Sequence, residues 1–321
     1  MKTILVLHTG GTIAMKEDPF GKVSPDKKNP LLNATYTSSH HPKIIVEDFF
    51  QLPSPHITLD HMLQLKRRIQ RAKQEGIDSV VITHGTDTLE ETAFFLDTTI
   101  GNLMPIVLTG AMRSSNELGS DGLYNFSNAL RVAECPDSIN KGVLVVLNDE
   151  IHTARYVTKT HTTNVATFRT PTLGPIGIIT KHQILYMLTL LDTERHDVDN
   201  MDGLVPIVKA YAGMKGDFFD VLAQMPIDGL VIEALGAGNL PPETLPALQK
   251  LLEKKVPLLL VSRCFNGVAE PVYSYEGGGV ELEKMGIIFC KTINSQKARI
   301  KLLIGKHAQL SATAFRQFLE N

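Results

Sequence analysis

Val80-Val81-Ile82-Thr83-His84-Gly85-Thr86-Asp87-Thr88 joins an apolar run of strand length to a turn dense in hydroxyls and bearing one carboxylate. A near twin stands at the start of the chain, where Thr3-Ile4-Leu5-Val6-Leu7-His8 enters Thr9-Gly10-Gly11-Thr12-Ile13. The arrangement recurs in Pro105-Ile106-Val107-Leu108-Thr109 before Gly110-Ala111-Met112-Arg113, and in Gly142-Val143-Leu144-Val145-Val146-Leu147 before Asn148-Asp149-Glu150. Between these runs, segments 59–74 and 89–96 carry apolar residues at three-to-four spacing, the period of a helix face. Strand and helix in alternation predict a doubly wound, mostly parallel α/β sheet. Ligands of such sheets bind outside the carboxyl ends of the strands, so the two threonine turns are expected to face one cleft.

With 321 residues, 43% of them hydrophobic and 21% charged, the chain has the means to bury more than one core. The polar stretch around 190–203 separates two sets of strand-like runs. We therefore expect a catalytic N-terminal domain over 1–190, a linker over 191–203 and a smaller C-terminal α/β domain over 204–321. In the latter, strands are expected at Val205-Pro206-Ile207-Val208-Lys209-Ala210-Tyr211, Gly229-Leu230-Val231-Ile232-Glu233-Ala234-Leu235 and Pro257-Leu258-Leu259-Leu260-Val261-Ser262, with a helix over 244–254.

The formal net charge of −2, without a long basic block, provides no electrostatic footprint for nucleic acid or an anionic membrane. A small molecule is the expected partner. No apolar run approaches the about 18 residues of a membrane span, and residues 2–8 lead directly into the Gly-Gly-Thr turn, so a cytoplasmic location is expected. Cys135, Cys264 and Cys290 are odd in number and widely spaced, which reads as buried, reduced thiols. His40, His41, His56 and His61 match no zinc spacing, and Gly236-Ala237-Gly238 is followed by Pro241 where a dinucleotide fingerprint needs its third glycine. Neither metal nor cofactor is expected.

Taken singly, each polar residue has a plain reading. Thr12 after two glycines suits a turn or helix cap, Thr86 and Asp87 suit the start of the helix at Leu89, and Lys159 suits a solvated surface. Taken together and in order, the words resemble the bacterial-type L-asparaginase family. These are Thr9-Gly10-Gly11-Thr12-Ile13-Ala14, His84-Gly85-Thr86-Asp87-Thr88, Tyr156-Val157-Thr158-Lys159-Thr160, Gly236-Ala237-Gly238-Asn239 and Gln296-Lys297-Ala298-Arg299. They span residues 9 to about 303, nearly the whole chain.

The resemblance implies hydrolysis of L-asparagine to aspartate and ammonia through an acyl-enzyme, with lesser glutaminase activity admitted. It implies Thr12 as nucleophile, and Thr86, Asp87 and Lys159 as a second catalytic group. A lysine accepts a proton at neutral pH only when burial or a nearby cation favours its neutral form, and an adjacent carboxylate works the other way. Lys159 is therefore expected to polarise and position Thr86 and the attacking water as much as to deprotonate them. The turns at Gly10-Gly11 and Gly85 are expected to offer backbone N–H groups to the oxyanion. By the same resemblance Ser54 holds the substrate's α-carboxylate and Asp87 its α-ammonium. Asn239 and an acid, Glu276 with Glu270 as the alternative, come from a neighbouring subunit of a homodimer or a dimer-of-dimers homotetramer.

Two features depart from the family pattern. Residues 13–35 contain no tyrosine for the loop after the nucleophile, Phe20 having no hydroxyl, which leaves Tyr36 or another group for that proton path. Pro55 follows Ser54 where secreted members tend to carry glutamine, so substrate contacts there differ. Residues 15–30 hold four lysines, three acids and three prolines, the composition of a surface gate. Two other functions compete. One is a non-catalytic amino-acid sensor with the same pocket; the other is an amidotransferase subunit, which would need a further N-terminal domain.

Overall fold

The structure is a computed structural model that describes residues 2–25, 31, 41–191 and 193–321. The chain divides into two compact units, Met1–Arg195 and His196–Asn321. In the first, the strands are β1 (Thr3–Gly10), β2 (Met15–Glu17), β3 (Val23–Pro25), β4 (Lys43–Leu52), β5 (Ser79–Thr83), β6 (Ile106–Thr109), β7 (Val143–Leu147), β8 (Glu150–Thr153), β9 (Thr158–Lys159), β10 (Phe168–Arg169), β11 (Gly177–Ile179) and β12 (Ile184–Tyr186). Its helices are α1 (Leu59–Gln74), α2 (Leu89–Ile100) and α3 (Gly122–Glu134).

Eight strands form one sheet in the order β12-β11-β8-β7-β6-β5-β1-β4, parallel from β4 to β7 and antiparallel beyond. Every residue of β5, β6 and β7 is buried, as central parallel strands with both faces covered require. Ile4, Val6, Val81, Val107, Leu144 and Val146 pack under Phe126, Ala129 and Leu130 of α3. The alternate residues Leu5, Leu7, Val80, Ile82 and Leu108 are equally inaccessible, so the period-two pattern supplies both faces. Each such aliphatic side chain contributes about 1.5–3 kcal/mol by leaving water.

α1 buries Met62, Leu63, Leu65, Ile69 and Ala72, one stripe at helical spacing. Its first turn is closed by Thr58 and His61, each side chain accepting from the other's backbone N–H. His61 is thus a capping group. His40 and Tyr36 lie outside the described residues.

The sequence reading of the Asn148-Asp149 turn is modified by the structure. Both residues have positive φ, 50° and 63°, and the chain reverses into β8 as a hairpin. Two left-handed residues match the twist of the flanking strands, which is why Asn and Asp serve there.

The second unit has strands β13 (Ile207–Lys209), β14 (Leu230–Ala234), β15 (Leu258–Ser262) and β16 (Ile288–Phe289), all parallel and in that order. Its helices are α4 (Asp217–Leu222), α5 (Leu245–Glu253), α6 (Gly279–Met285), α7 (Ser295–His307) and α8 (Ala312–Glu320). Phe219, Leu230, Ile232, Leu248, Leu251, Leu258, Leu260 and Phe289 form its core. The stretch after the division is packed rather than free: Val198 and Met201 are buried and His196 stands edge-on to Phe318 at 4.8 Å. Among the described residues, no helix is long and apolar enough to cross a membrane.

Candidate active site

β1 and β5 are neighbours, with His8 opposite Thr83, so the turns that follow them leave the sheet side by side. Gly10 and Gly11 take positive φ, 99° and 82°. A Cβ on Gly11 would fall 2.3 Å from the Cα of Gly85, and one on Gly85 would fall 2.7 Å from the Oγ of Ser54. Only glycine permits this stacking of Gly11, Gly85 and Ser54. The residues after the glycines, Thr12 and Thr86, are thereby brought onto adjacent turns.

Thr12 opens a single 3-10 turn, Thr12–Ala14, and is half-buried. Thr86 is 6% exposed. Its hydroxyl accepts a hydrogen bond of 3.0 Å from Nζ of Lys159, which also donates to Oδ1 of Asp87 at 2.7 Å. The ammonium is thus held between a carboxylate and a threonine oxygen. That leaves the Thr86 proton free to be given onward, while the lysine raises the polarity of the O–H bond. Asp87 is exposed, and a surface pair of this kind contributes positioning more than stability.

Ser54 starts the 3-10 turn Ser54–His56 and is 4% exposed. Its Oγ accepts from the Asp87 amide at 3.2 Å, and its carbonyl accepts from the Thr88 hydroxyl at 2.9 Å. The serine keeps its own proton to donate. His84 locks the same turn from below. Its Nδ1 lies 2.8 Å from the Gly85 carbonyl, an acceptor only, so Nδ1 carries the hydrogen and Nε2 accepts from Thr92 at 3.0 Å. Complete burial pushes His84 down to about 4, so the ring is neutral.

Lys159 has a support that sequence reading missed. Glu90, in the first turn of α2, is buried and accepts from the Thr158 hydroxyl at 3.1 Å. β9 is further pinned to β10, with Lys159 opposite Phe168. The signal in sequence was an acid three residues after Asp87, which alone does not reveal a contact with a residue 68 positions later.

The expected oxyanion donors need one correction. The Gly11 amide donates to the Leu52 carbonyl at 3.1 Å and is committed to holding the turn on β4. The described part of the expected gate, 15–25, is a hairpin of β2 and β3 rather than irregular loop. Met15 and Glu17 are tied to Ser115 and Asn116 through hydrogen bonds of 2.8–3.0 Å, and Phe20 projects from the tip 88% exposed. Residues 26–30 lie outside the described residues.

Asn239, Glu270 and Glu276 belong to the second unit. Asn239 accepts from the Gly279 amide at 3.2 Å, Leu240 donates to the Gly277 carbonyl at 2.9 Å, and Glu270 donates its amide to Ala237 at 2.8 Å. Both acids therefore sit, exposed, on segments packed against the 236–239 turn.

The family model described as "Asparaginase, N-terminal" matches residues 3–191, and "Glutaminase/Asparaginase C-terminal domain" matches residues 204–319. The chain is 36% identical to L-asparaginase of Bacillus licheniformis, over 94% of this chain and 95% of that one. It is 40% identical to a probable L-asparaginase of Deinococcus radiodurans, over 94% and 92%. Among solved structures, a probable cytoplasmic L-asparaginase of Campylobacter jejuni superposes with a TM-score of 0.88, at 32% identity and 99% coverage of both chains.

Proposed function

This chain belongs to the asparaginase family, and from that premise we propose that it is an L-asparaginase that hydrolyses L-asparagine to L-aspartate and ammonia with Thr12 as nucleophile. The observation that carries the reading is the Lys159 ammonium fixed between Thr86 and Asp87 on the turn stacked against the Thr12 turn.

Thr12 Oγ attacks the side-chain amide carbon and an ester forms as the C–N bond breaks, the nitrogen leaving as ammonia after taking up a proton. Thr86, polarised by Lys159, then orients the water that attacks the ester, and aspartate leaves as the Thr12 hydroxyl is restored. Ser54 donates to the α-carboxylate, and Asp87 pairs with the α-ammonium. With the Gly11 amide committed to Leu52, the Gly85 turn is the proposed source of oxyanion donors. Glutamine is a lesser substrate, since one added methylene changes discrimination by only about 1–3 kcal/mol.

We further propose a homo-oligomer, a dimer or a dimer-of-dimers tetramer, in which Asn239 and Glu276 complete a neighbour's site. The exposed apolar side chains of Val272, Tyr273 and Tyr275, which lie between Glu270 and Glu276 in the chain, support a covered face. A cytoplasmic location is proposed in line with the Campylobacter jejuni protein.

The test is ammonia release from asparagine and glutamine by purified protein without added metal or nucleotide. Turnover in the wild type and its loss in Thr12→Ala are expected. Binding heat with asparagine and no product in the wild type would instead support the sensor reading.

A further inference from the structure

Lys159 reaches Thr86 and Asp87 from a very short ribbon. β9 and β10 have two residues each and form a two-stranded sheet of their own, with Phe168 opposite Lys159 and Arg169 opposite Thr158. Thr160 donates from both its amide and its hydroxyl to the Thr167 carbonyl, each at 2.8 Å, so the ribbon is one piece beyond the ladder as well. Such a piece does not fix its own place, since even a longer hairpin is only marginally stable alone in water. The position of the ammonium is therefore set by what binds the ribbon to the rest of the unit.

Glu90 ties β9 through Thr158, and β10 has a separate tie to β8. Nη1 of Arg169 donates to both carboxylate oxygens of Glu150, at 2.8 and 2.9 Å. Two residues further along β8, on the same face, His152 is 1% exposed, with Nε2 3.2 Å from Oε2 of Glu150 and Nδ1 3.0 Å from the hydroxyl of Thr170. A carboxylate beside Nε2 favours the tautomer with its hydrogen there, so Nδ1 accepts from Thr170. Glu150 thus holds two successive residues, Arg169 directly and Thr170 through the ring. The exposed Arg169 pair contributes little alone, but His152 and Thr170 are buried, and a buried hydroxyl left unpaired costs more than a surface pair contributes.

We propose that Glu150 and His152 are positioning residues for the hydrolysis, holding β10 on β8 so that β9 presents the Lys159 ammonium to Thr86. They act through the ribbon and not on the substrate. Their kinetic effect rests on the amidase reading; the anchoring of the ribbon does not.

Amide exchange across 156–170 and asparagine kinetics, with thermal unfolding alongside, test this in the full chain carrying Glu150→Ala, Glu150→Gln, His152→Phe or Arg169→Met. In Glu150→Ala and His152→Phe, exchange in the ribbon should quicken about tenfold relative to α2, and kcat should fall about tenfold with KM for asparagine within about twofold. Glu150→Gln keeps an oxygen to accept from Arg169 and should recover about half of the wild-type kcat. Arg169→Met, on an exposed side chain, should fold normally and lower kcat about threefold, so it decides the matter if Glu150→Ala does not fold. Ribbon exchange unchanged in the folded variants, a rise in KM with kcat intact, or Glu150→Gln no better than Glu150→Ala would overturn the proposal. Wild type that releases no ammonia from asparagine or glutamine while the exchange response persists would count against the amidase reading and support the anchor.

Discussion

The buried carboxylate of Glu90 accepts a hydrogen bond of 3.1 Å from the hydroxyl of Thr158, the residue immediately before Lys159. The first turn of α2 thereby carries Asp87 and Thr86 just ahead of it and also anchors the strand that delivers the ammonium to them. Removing this tie with Thr158→Val frees the lysine without touching substrate. We expect kcat to fall about tenfold, the loss of one positioned hydrogen bond, with KM little changed. Steady-state kinetics on asparagine decide it; an unchanged kcat would show that β9 is held without Glu90.

Thr12→Ala, Thr86→Val and Lys159→Met should each lower kcat by several orders of magnitude while thermal unfolding stays close to wild type, because each removes a reacting or relaying group rather than core volume. The Thr12→Ala, Thr86→Val double variant should lose little beyond the worse single one. Losses that multiply would mean that the two threonines work independently, and near-normal turnover in Lys159→Met would return the lysine to the solvated surface.

Subunit mixing tests the shared site. Inactive Thr12→Ala and inactive Glu276→Ala proteins, exchanged and reassociated, should regain part of the wild-type rate, because a hybrid pair holds one pocket with both residues intact. If verified exchange restores nothing, repeating the mixture with Glu270→Ala distinguishes the wrong acid from an unshared site.

Acid stability should follow two histidines. Burial lowers His8 and His84 from 6.5 to about 4, Asp48 opposing this in part for His8. Between those values the unfolded chain binds protons that the folded chain refuses, so stability is full above 6.5 and drains as the pH falls toward 4. Each shift corresponds to about 3 kcal/mol. Glu47 and Glu150, held below the usual carboxylate range chiefly by hydrogen bonds to Arg68 and His152 respectively, act in the same direction at lower pH. Urea unfolding at pH 7, 6, 5 and 4.5 should show the decline, with a shallower slope in His8→Asn. Stability constant between pH 7 and 5 would contradict the neutral, buried rings.

The hairpin of β2 and β3 provides the gate test. Its anchors at Ser115 and Asn116 hold one strand, and we propose that the exposed tip at Phe20 closes over Thr12. Amide exchange across 15–25 should slow when aspartate saturates the protein. Equal exchange with and without aspartate would remove the hairpin from the catalytic cycle.

Sequence by itself determined the central strands β1, β5, β6 and β7 and the identity of the chemical words. Runs such as Val80-Val81-Ile82 are readable because a strand covered on both faces must be apolar at every position, and the glycine-threonine turns are readable because their residues lie side by side in the chain. The Asn148-Asp149 reversal escaped reading as a hairpin because a polar strand end and a two-residue turn share one composition. Only the tertiary structure decided that Gly11 abuts Gly85, that the Gly11 amide is committed to Leu52, and that Glu90 reaches Thr158. These relations join residues from 41 to 74 positions apart within one strand-turn framework, 11 to 52, 11 to 85 and 90 to 158. No local periodicity records such pairs, because they arise when separate strands are brought into register by burial of their apolar faces.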